Sequence, residues 1–322
     1  MKQRAVIVFV ILAIATVILF AIDLYVGAAS ISAGDVIATL CGNAPSASTA
    51  KIVIDIRLVK AIVAILSGAA LSASGLQMQT LFRNPLAGPY VLGISSGASL
   101  GVALVILAGI SSPAGIAGAA WAGSALVLIV IAAVAVKIRD IMVILILGIM
   151  FSSGISAIVQ ILQYLSDEDS LKSFVIWTMG SLGDVTWSQM WILLPSVVIG
   201  LAMALATVKS LNLLLFGQDY AVTMGLDVKR SRFMIFLSTT LLAGTVTAFC
   251  GPIGFIGLAM PHVARFIIND SDHRTLLPAT MLIGAVVMTF CDIISKIFTL
   301  PVNAITALLG IPIVVWVVLR NR

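Results

Sequence analysis

Gly93-Ile94-Ser95-Ser96-Gly97 has the spacing of a nucleophile elbow, in which a serine on a sharp strand-to-helix turn attacks a carbonyl with a histidine and an acid in reach. Here the pattern opens an apolar segment and continues to Gly101. Small residues spaced by four (Gly93, Gly97, Gly101) are the mark of a helix-packing face. A hydrolase working through Ser95 would lose its activity on Ser95→Ala and keep its assembly. The chain has only two histidines, His262 and His273, and contains neither HExxH nor GxxxxGK[ST], so it encodes no zincin site and no P-loop for ATP. Cys41, Cys250 and Cys291 lack CxxC spacing and read as small hydrophobes. Asp292 precedes Lys296 by four residues, an ion pair at a helix end. Asp140 lies beside Arg139 in a tight turn, which reads as solvated pairing. These residues predict no catalytic group, no metal ligand and no cofactor.

The elements that carry them are set by composition. Hydrophobic residues make up 61% of the chain and charged residues 10%, against about 25% charged in soluble domains. Lipid must therefore be the solvent for most of the surface. Apolar runs near the length that crosses about 30 Å of hydrocarbon occur at 5–22, 60–81, 90–108, 114–136, 141–165, 189–208, 233–250, 275–295 and 303–319. A tenth, 252–268, holds Pro252, Gly254, Gly257 and Pro261 and is expected to be short, bent or partly unwound, which is tolerated at membrane depth only where protein or a water-filled cavity covers the backbone. The first run exceeds the roughly 7–15 residues of a signal-peptide core and reads as an uncleaved helix. The expectation is an all-α polytopic membrane protein with about ten transmembrane helices and both termini cytoplasmic.

Charge supports that count. With alternating spans, the inner face receives Lys2, Arg4, Arg83, Lys137, Arg139, Lys209, Lys229, Arg230, Arg232, Arg265, Arg274, Arg320 and Arg322, which is 13 of the 18 basic residues. The outer face keeps Lys51, Arg57, Lys60, Lys172 and Lys296, together with most of the acidic residues. This is the positive-inside distribution. It explains the net charge of +5 without a nucleic-acid partner. Residues 1–322 read as a single transmembrane domain with outer-face loops 23–58 and 166–188 and an inner loop 209–232 able to hold one or two short helices. Trp177 and Trp187 in the second outer loop fit an interfacial position. Ionisable residues are nearly missing from deep within the spans, where ion-coupled transporters place them. The energy for any pumping is thus expected from another subunit.

Several segments taken together resemble the permease family of ATP-binding-cassette importers for iron-siderophores, haem and cobalamin, the type II importer transmembrane subunits. They are Arg57-Leu58-Val59-Lys60 with Ser67-Gly68-Ala69-Ala70-Leu71; Arg83-Asn84-Pro85-Leu86-Ala87-Gly88-Pro89; Leu92-Gly93-Ile94-Ser95-Ser96-Gly97-Ala98; Gly251-Pro252-Ile253-Gly254-Phe255-Ile256-Gly257-Leu258; Pro261-His262-Val263-Ala264-Arg265; Asp272-His273-Arg274; and Leu300-Pro301-Val302 with Thr306-Ala307-Leu308-Leu309-Gly310. They run through nearly the whole chain in order.

The resemblance implies a multi-pass subunit of the bacterial cytoplasmic (inner) membrane. It pairs with a second copy of itself, two cytoplasmic ATPase subunits and a periplasmic or lipid-anchored substrate-binding protein. In the inner loop, Gly217-Gln218-Asp219-Tyr220-Ala221 with Met224-Gly225 is similar to the family's coupling helix, which seats on the ATPase. The family usually has a glutamate where Gln218 stands. Arg57, Lys60 and Lys296 are similar in position to the cations that grip the binding protein. Val59 replaces a proline there and Lys60 an arginine, and lysine lacks the bidentate fork. Asn84 and Leu86 resemble the inner gate, although a Pro- and Asn-rich turn also simply stops a helix.

The implied mechanism is alternating access, with ATP hydrolysed elsewhere and the metal carried inside a bulky chelate along a path lined by small and apolar groups. A self-contained secondary transporter is the alternative. It would need an essential intramembrane carboxylate and would act without a partner. Which chelate is carried is not encoded in these segments.

Overall fold

The structure, a computed structural model, describes residues 2–106, 109, 112–138 and 140–320. Arg139 and Arg322, placed on the inner face above, lie outside the described residues, as do the last two positions of segment 90–108, and the side chains of Lys2, Arg4, Lys137 and Arg320 are likewise not described. The described residues form helices α1 (Lys2–Tyr25), α2 (Ala33–Leu40), α3 (Ala47–Ala50), α4 (Val59–Phe82), α5 (Ile94–Ile106), α6 (Pro113–Lys137), α7 (Ile141–Tyr164), α8 (Glu168–Thr178), α9 (Trp187–Ala206), α10 (Val208–Leu214), α11 (Gln218–Thr223), α12 (Val228–Cys250), α13 (Ile256–Ile268), α14 (His273–Phe298) and α15 (Val302–Arg320). A π-helical stretch, Lys51–Leu58, joins α3 to α4.

Each of the ten apolar segments coincides with one helix. α1, α6, α7, α9, α12 and α14 are long and apolar enough to cross a membrane, and α5, α13 and α15 are shorter apolar helices. The outward face of α1 presents Val6, Ile7, Val10, Ile11, Ile14, Val17 and Ile18, all more than half exposed. Such a surface is stable against lipid and not against water.

The sequence and the structure differ in the loops. Segment 90–108 becomes helical only at Ile94, because Gly93 takes φ 84° and the preceding residues turn. The outer stretch 23–58 is largely helical. Ser32 caps α2 by accepting from Asp35 N, Ser46 caps α3 by accepting from Thr49 N, and the π-helical stretch runs on into α4. In the outer stretch 166–188, Asp167 caps α8. A hydrogen bond from Ser170 N holds its carboxyl below the usual carboxylate range. The inner loop holds two short helices, α10 and α11.

The weak tenth segment is partly unwound as expected. Gly251 (φ 73°) and Phe255 (φ 66°) bracket a non-helical stretch before α13. Its backbone is satisfied by protein: Gly254 N donates to Asn303 Oδ1 (2.9 Å), Ile253 N to the Tyr90 hydroxyl (3.4 Å), and the Cys250 carbonyl accepts from Ser181 N (2.8 Å).

α4 stands at the centre, against α14, α13, α12 and α9. Most of its 24 residues are buried. It reaches its neighbours through glycines. A Cβ on Gly75 would overlap the Gly257 carbonyl, and one on Gly68 would overlap the Gly284 carbonyl. The serine-containing motif has the same function. Gly97 and Gly101 of α5 lie against Gly123 and Ala119 of α6, so GxSxG is a packing face here.

Gly75→Ala should lower the melting midpoint of the detergent-solubilised protein markedly, by overpacking worth about 1–3 kcal/mol or more. Gly118→Ala, whose Cβ meets nothing within 4 Å, should leave it unchanged. Heating series read by size-exclusion chromatography would check both.

Candidate functional site

Two stations hold the residues singled out from the sequence, one at each end of α4. At the outer end Arg57, Lys60 and Lys296 come to one cavity of about 470 Å³, walled by Gly27, Ala29, Ile52 and Thr299. All three are engaged within the chain. Arg57 is 3% exposed, and its guanidinium donates to Leu24 O (3.0 Å), Tyr25 O (2.8 Å) and Ala29 O, tying down the chain that leaves α1. Gly27 lets that chain come close: a Cβ there would sit 2.9 Å from Arg57 Nε. Lys296 Nζ lies 2.8 Å from Asp23 Oδ1 and 3.0 Å from Asp292 Oδ2, and Lys60 Nζ lies 3.0 Å from Asp292 Oδ1.

The i,i+4 pair expected from sequence is therefore half of a four-charge cluster that joins α1, α4 and α14. Asp23 and Asp292 are fully buried, and two lysines balance them. A buried carboxylate is tolerated when it is paired in this way. Sequence reading missed Asp23 as a partner because 273 residues separate it from Lys296. The signal available was its position as the one acid near the end of the first apolar run.

At the inner end α4 stops at Arg83 in the left-handed conformation (φ 48°). The turn that follows is held by Asn84 Oδ1, which accepts from Leu86 N (2.9 Å), and leaves Leu86 half-exposed. The segment 217–225, expected from the resemblance to be a coupling helix, lies beside it. Gly217 takes φ 108°, a conformation open to glycine, and a Cβ there would meet Arg83 Nη1 at 3.5 Å. Gln218 Oε1 accepts from Arg232 Nη2 of α12, so the amide at the position where the resemblance expects a carboxylate is fixed within the chain. Ala221 is buried and roots α11. Gly225 (φ 80°) ends it, and Asp227 caps α12 by accepting from Arg230 N (3.0 Å).

Tyr220 and Met224 are exposed, together with Phe216 and Val222, which the sequence reading did not single out. The Phe216 and Tyr220 rings pack at a tilt of 53° with centroids 5.3 Å apart. The result is a compact apolar knob in a loop that also carries Lys209, Asp219, Lys229 and Arg230. Exposed patches of this kind mark contact surfaces.

Long apolar helices with charged and polar groups gathered at their ends define a multi-pass membrane protein. The sequence profile of the FecCD transport family matches residues 15–320, and the chain belongs to that family. It is 37% identical over 283 residues to the hemin transport system permease protein HmuU of Yersinia pestis, covering 84% of this chain and 83% of that one. It is 36% identical to the vitamin B12 import system permease protein BtuC of Klebsiella pneumoniae, covering 83% and 82%. Among solved structures, it superposes with a TM-score of 0.86 and 30% identity on a metal-chelate type ABC transporter in an inward-facing conformation, covering 98% of this chain and 99% of that one.

Asp292→Asn should destabilise the protein by about 3 kcal/mol or more, because it leaves two partly buried ammonium groups with a single carboxylate. Lys60→Ala, at the more exposed edge of the cluster, should cost less. Melting midpoints in detergent would order the two.

Proposed function

We propose that the chain is the transmembrane permease subunit of an ATP-binding-cassette importer that carries a large metal chelate into the cytoplasm by alternating access. Ten helices cross the membrane in this reading, with both termini cytoplasmic. The pathway runs between this chain and a second copy. Two ATPase subunits bind inside and a substrate-binding protein docks outside. The family membership, the haem and cobalamin relatives and the close superposition support it.

The observation that carries it is the knob of Phe216, Tyr220, Val222 and Met224. It is rooted by Ala221 and left exposed, and in this reading the ATPase subunit covers it. ATP binding draws the ATPase subunits together, the knob moves with them, and the turn at Asn84 and Leu86 opens or closes the inner end. On the outside, Lys60 is the cation with the freest side chain for gripping an acidic partner. Arg57 and Lys296 hold the wall of the cavity in which that grip would form.

The four-charge cluster does not favour the secondary-transporter reading. Its carboxylates are matched by lysines, and it joins helix ends on the outer side.

Gentle purification from native membranes should bring down a P-loop ATPase in equal amount. The double variant Phe216→Ala/Tyr220→Ala should retain at least about tenfold less of it, as expected for two truncated interface anchors. Full retention by a correctly inserted double variant would contradict the role of the knob.

A further inference from the structure

Neither histidine enters the mechanism above, yet both are buried among polar partners at the inner end of α4. Asn212 of α10 lies inside the coupling stretch. Its Oδ1 accepts from His273 N (2.9 Å) and lies 2.8 Å from His273 Nδ1, while its Nδ2 donates to Asp272 Oδ1 (2.6 Å). An amide oxygen can only accept, so His273 Nδ1 carries the proton. The other ring nitrogen, Nε2, then faces the Thr80 hydroxyl at 2.8 Å as an acceptor, in competition with Leu76 O of the same helix at 3.0 Å.

Thr80 belongs to the last turn of α4, and the gate turn hangs from that turn. Arg83 N donates to Thr80 O (3.3 Å) and Asn84 N to Gln79 O (3.1 Å). His262 of α13 closes the chain of contacts from the far side by donating through Nε2 to Pro85 O at 2.8 Å. Gln79 is clamped between the same helices, accepting from Arg265 Nη1 (2.7 Å) and donating to Leu258 O (2.9 Å).

A continuous hydrogen-bonded path thus runs from the coupling stretch to the gate, Asn212 to His273 to Thr80 to the turn 83–86, with His262 bracing Pro85. We propose that His273 is a positioning residue that passes movement of the coupling stretch to the gate, and that Thr80 and Asn212 are its two contacts. The proposal rests on the permease reading. Packing alone would need only bulk at these positions. The contacts seen here are directional donors and acceptors that cross helix boundaries.

The test uses the whole complex, with the co-purified ATPase subunits, in lipid nanodiscs. Amide hydrogen exchange of residues 83–93 is compared between the nucleotide-free and ATP–vanadate-trapped states. The wild type should change its exchange on trapping. In Thr80→Val, which keeps the shape and removes the hydroxyl, the response should fall by about fivefold or more while ATP hydrolysis stays within about twofold. Thr80→Ser should restore the response.

Asn212→Leu breaks the same path from the other end and serves if the Thr80 variant does not assemble. Either assembled variant responding like the wild type, or a loss of response that only follows a matching loss of hydrolysis, overturns the relay and leaves the permease reading intact. A wild-type complex without ATPase subunits overturns the permease reading itself, and the relay with it.

Discussion

The closeness of α4 to α13 and α14 is the constraint on which the rest of this molecule depends. In lipid, apolar side chains gain nothing by meeting one another rather than acyl chains. Helices therefore associate through close van der Waals contact and through hydrogen bonds between them. α4 supplies both. Gly68 and Gly75 let the backbones of α14 and α13 touch it. Gln77 donates to Thr207 (3.2 Å) and accepts from Ser238 and Thr239, which fastens α9 and α12 to the same post. The helix carries small and polar residues along these contacts for this reason, with Ser67, Ser72, Ser74, Gln77, Gln79 and Thr80 all buried on it.

A rod of 24 residues spans about 36 Å, more than the roughly 30 Å of a bilayer's hydrocarbon. Each end gathers charge and polar groups that the middle excludes. Lys60 at one end enters the cluster with Asp292, Lys296 and Asp23. At the other end Gln79 and Thr80 meet Arg265, His262 and His273. The outer cluster ties α1 and α14 to α4, and the inner network ties α10, α13 and α14 to it. A subunit built this way has a stiff centre and two polar stations.

Hydropathy placed each of the ten apolar segments on what proves to be one helix, because a run of lipid-length apolar residues can fold in few other ways. Pro252, Gly254 and Gly257 likewise announced the irregular entry to α13, since these residues break the helical ladder wherever they fall. Helix content inside the outer stretch was not legible. Ser32 and Ser46 act as caps, but short amphipathic helices on a membrane surface carry a weak pattern. The short helices of the stretch 209–232 were expected from sequence, yet its apolar knob was only partly legible. Phe216 precedes α11 and joins Tyr220 through a tilted ring contact that depends on the turn at Gly217. The ion cluster and the histidine relay were least accessible, because their partners lie 273 and 193 residues apart and pair only once α4 is packed. Long-range polar contacts leave no local periodicity to read.

The central claim is that this chain moves its cargo with energy delivered by another protein through the inner loop. Uptake into proteoliposomes holding the purified complex tests it most directly, with haemin and cyanocobalamin offered separately as labelled probes together with the cognate binding protein. The account predicts accumulation of a probe that requires ATP at the inner face, is abolished by vanadate and is indifferent to ionophores. Accumulation by this chain alone, without ATP, driven by an ion gradient and collapsed by an ionophore, would contradict it.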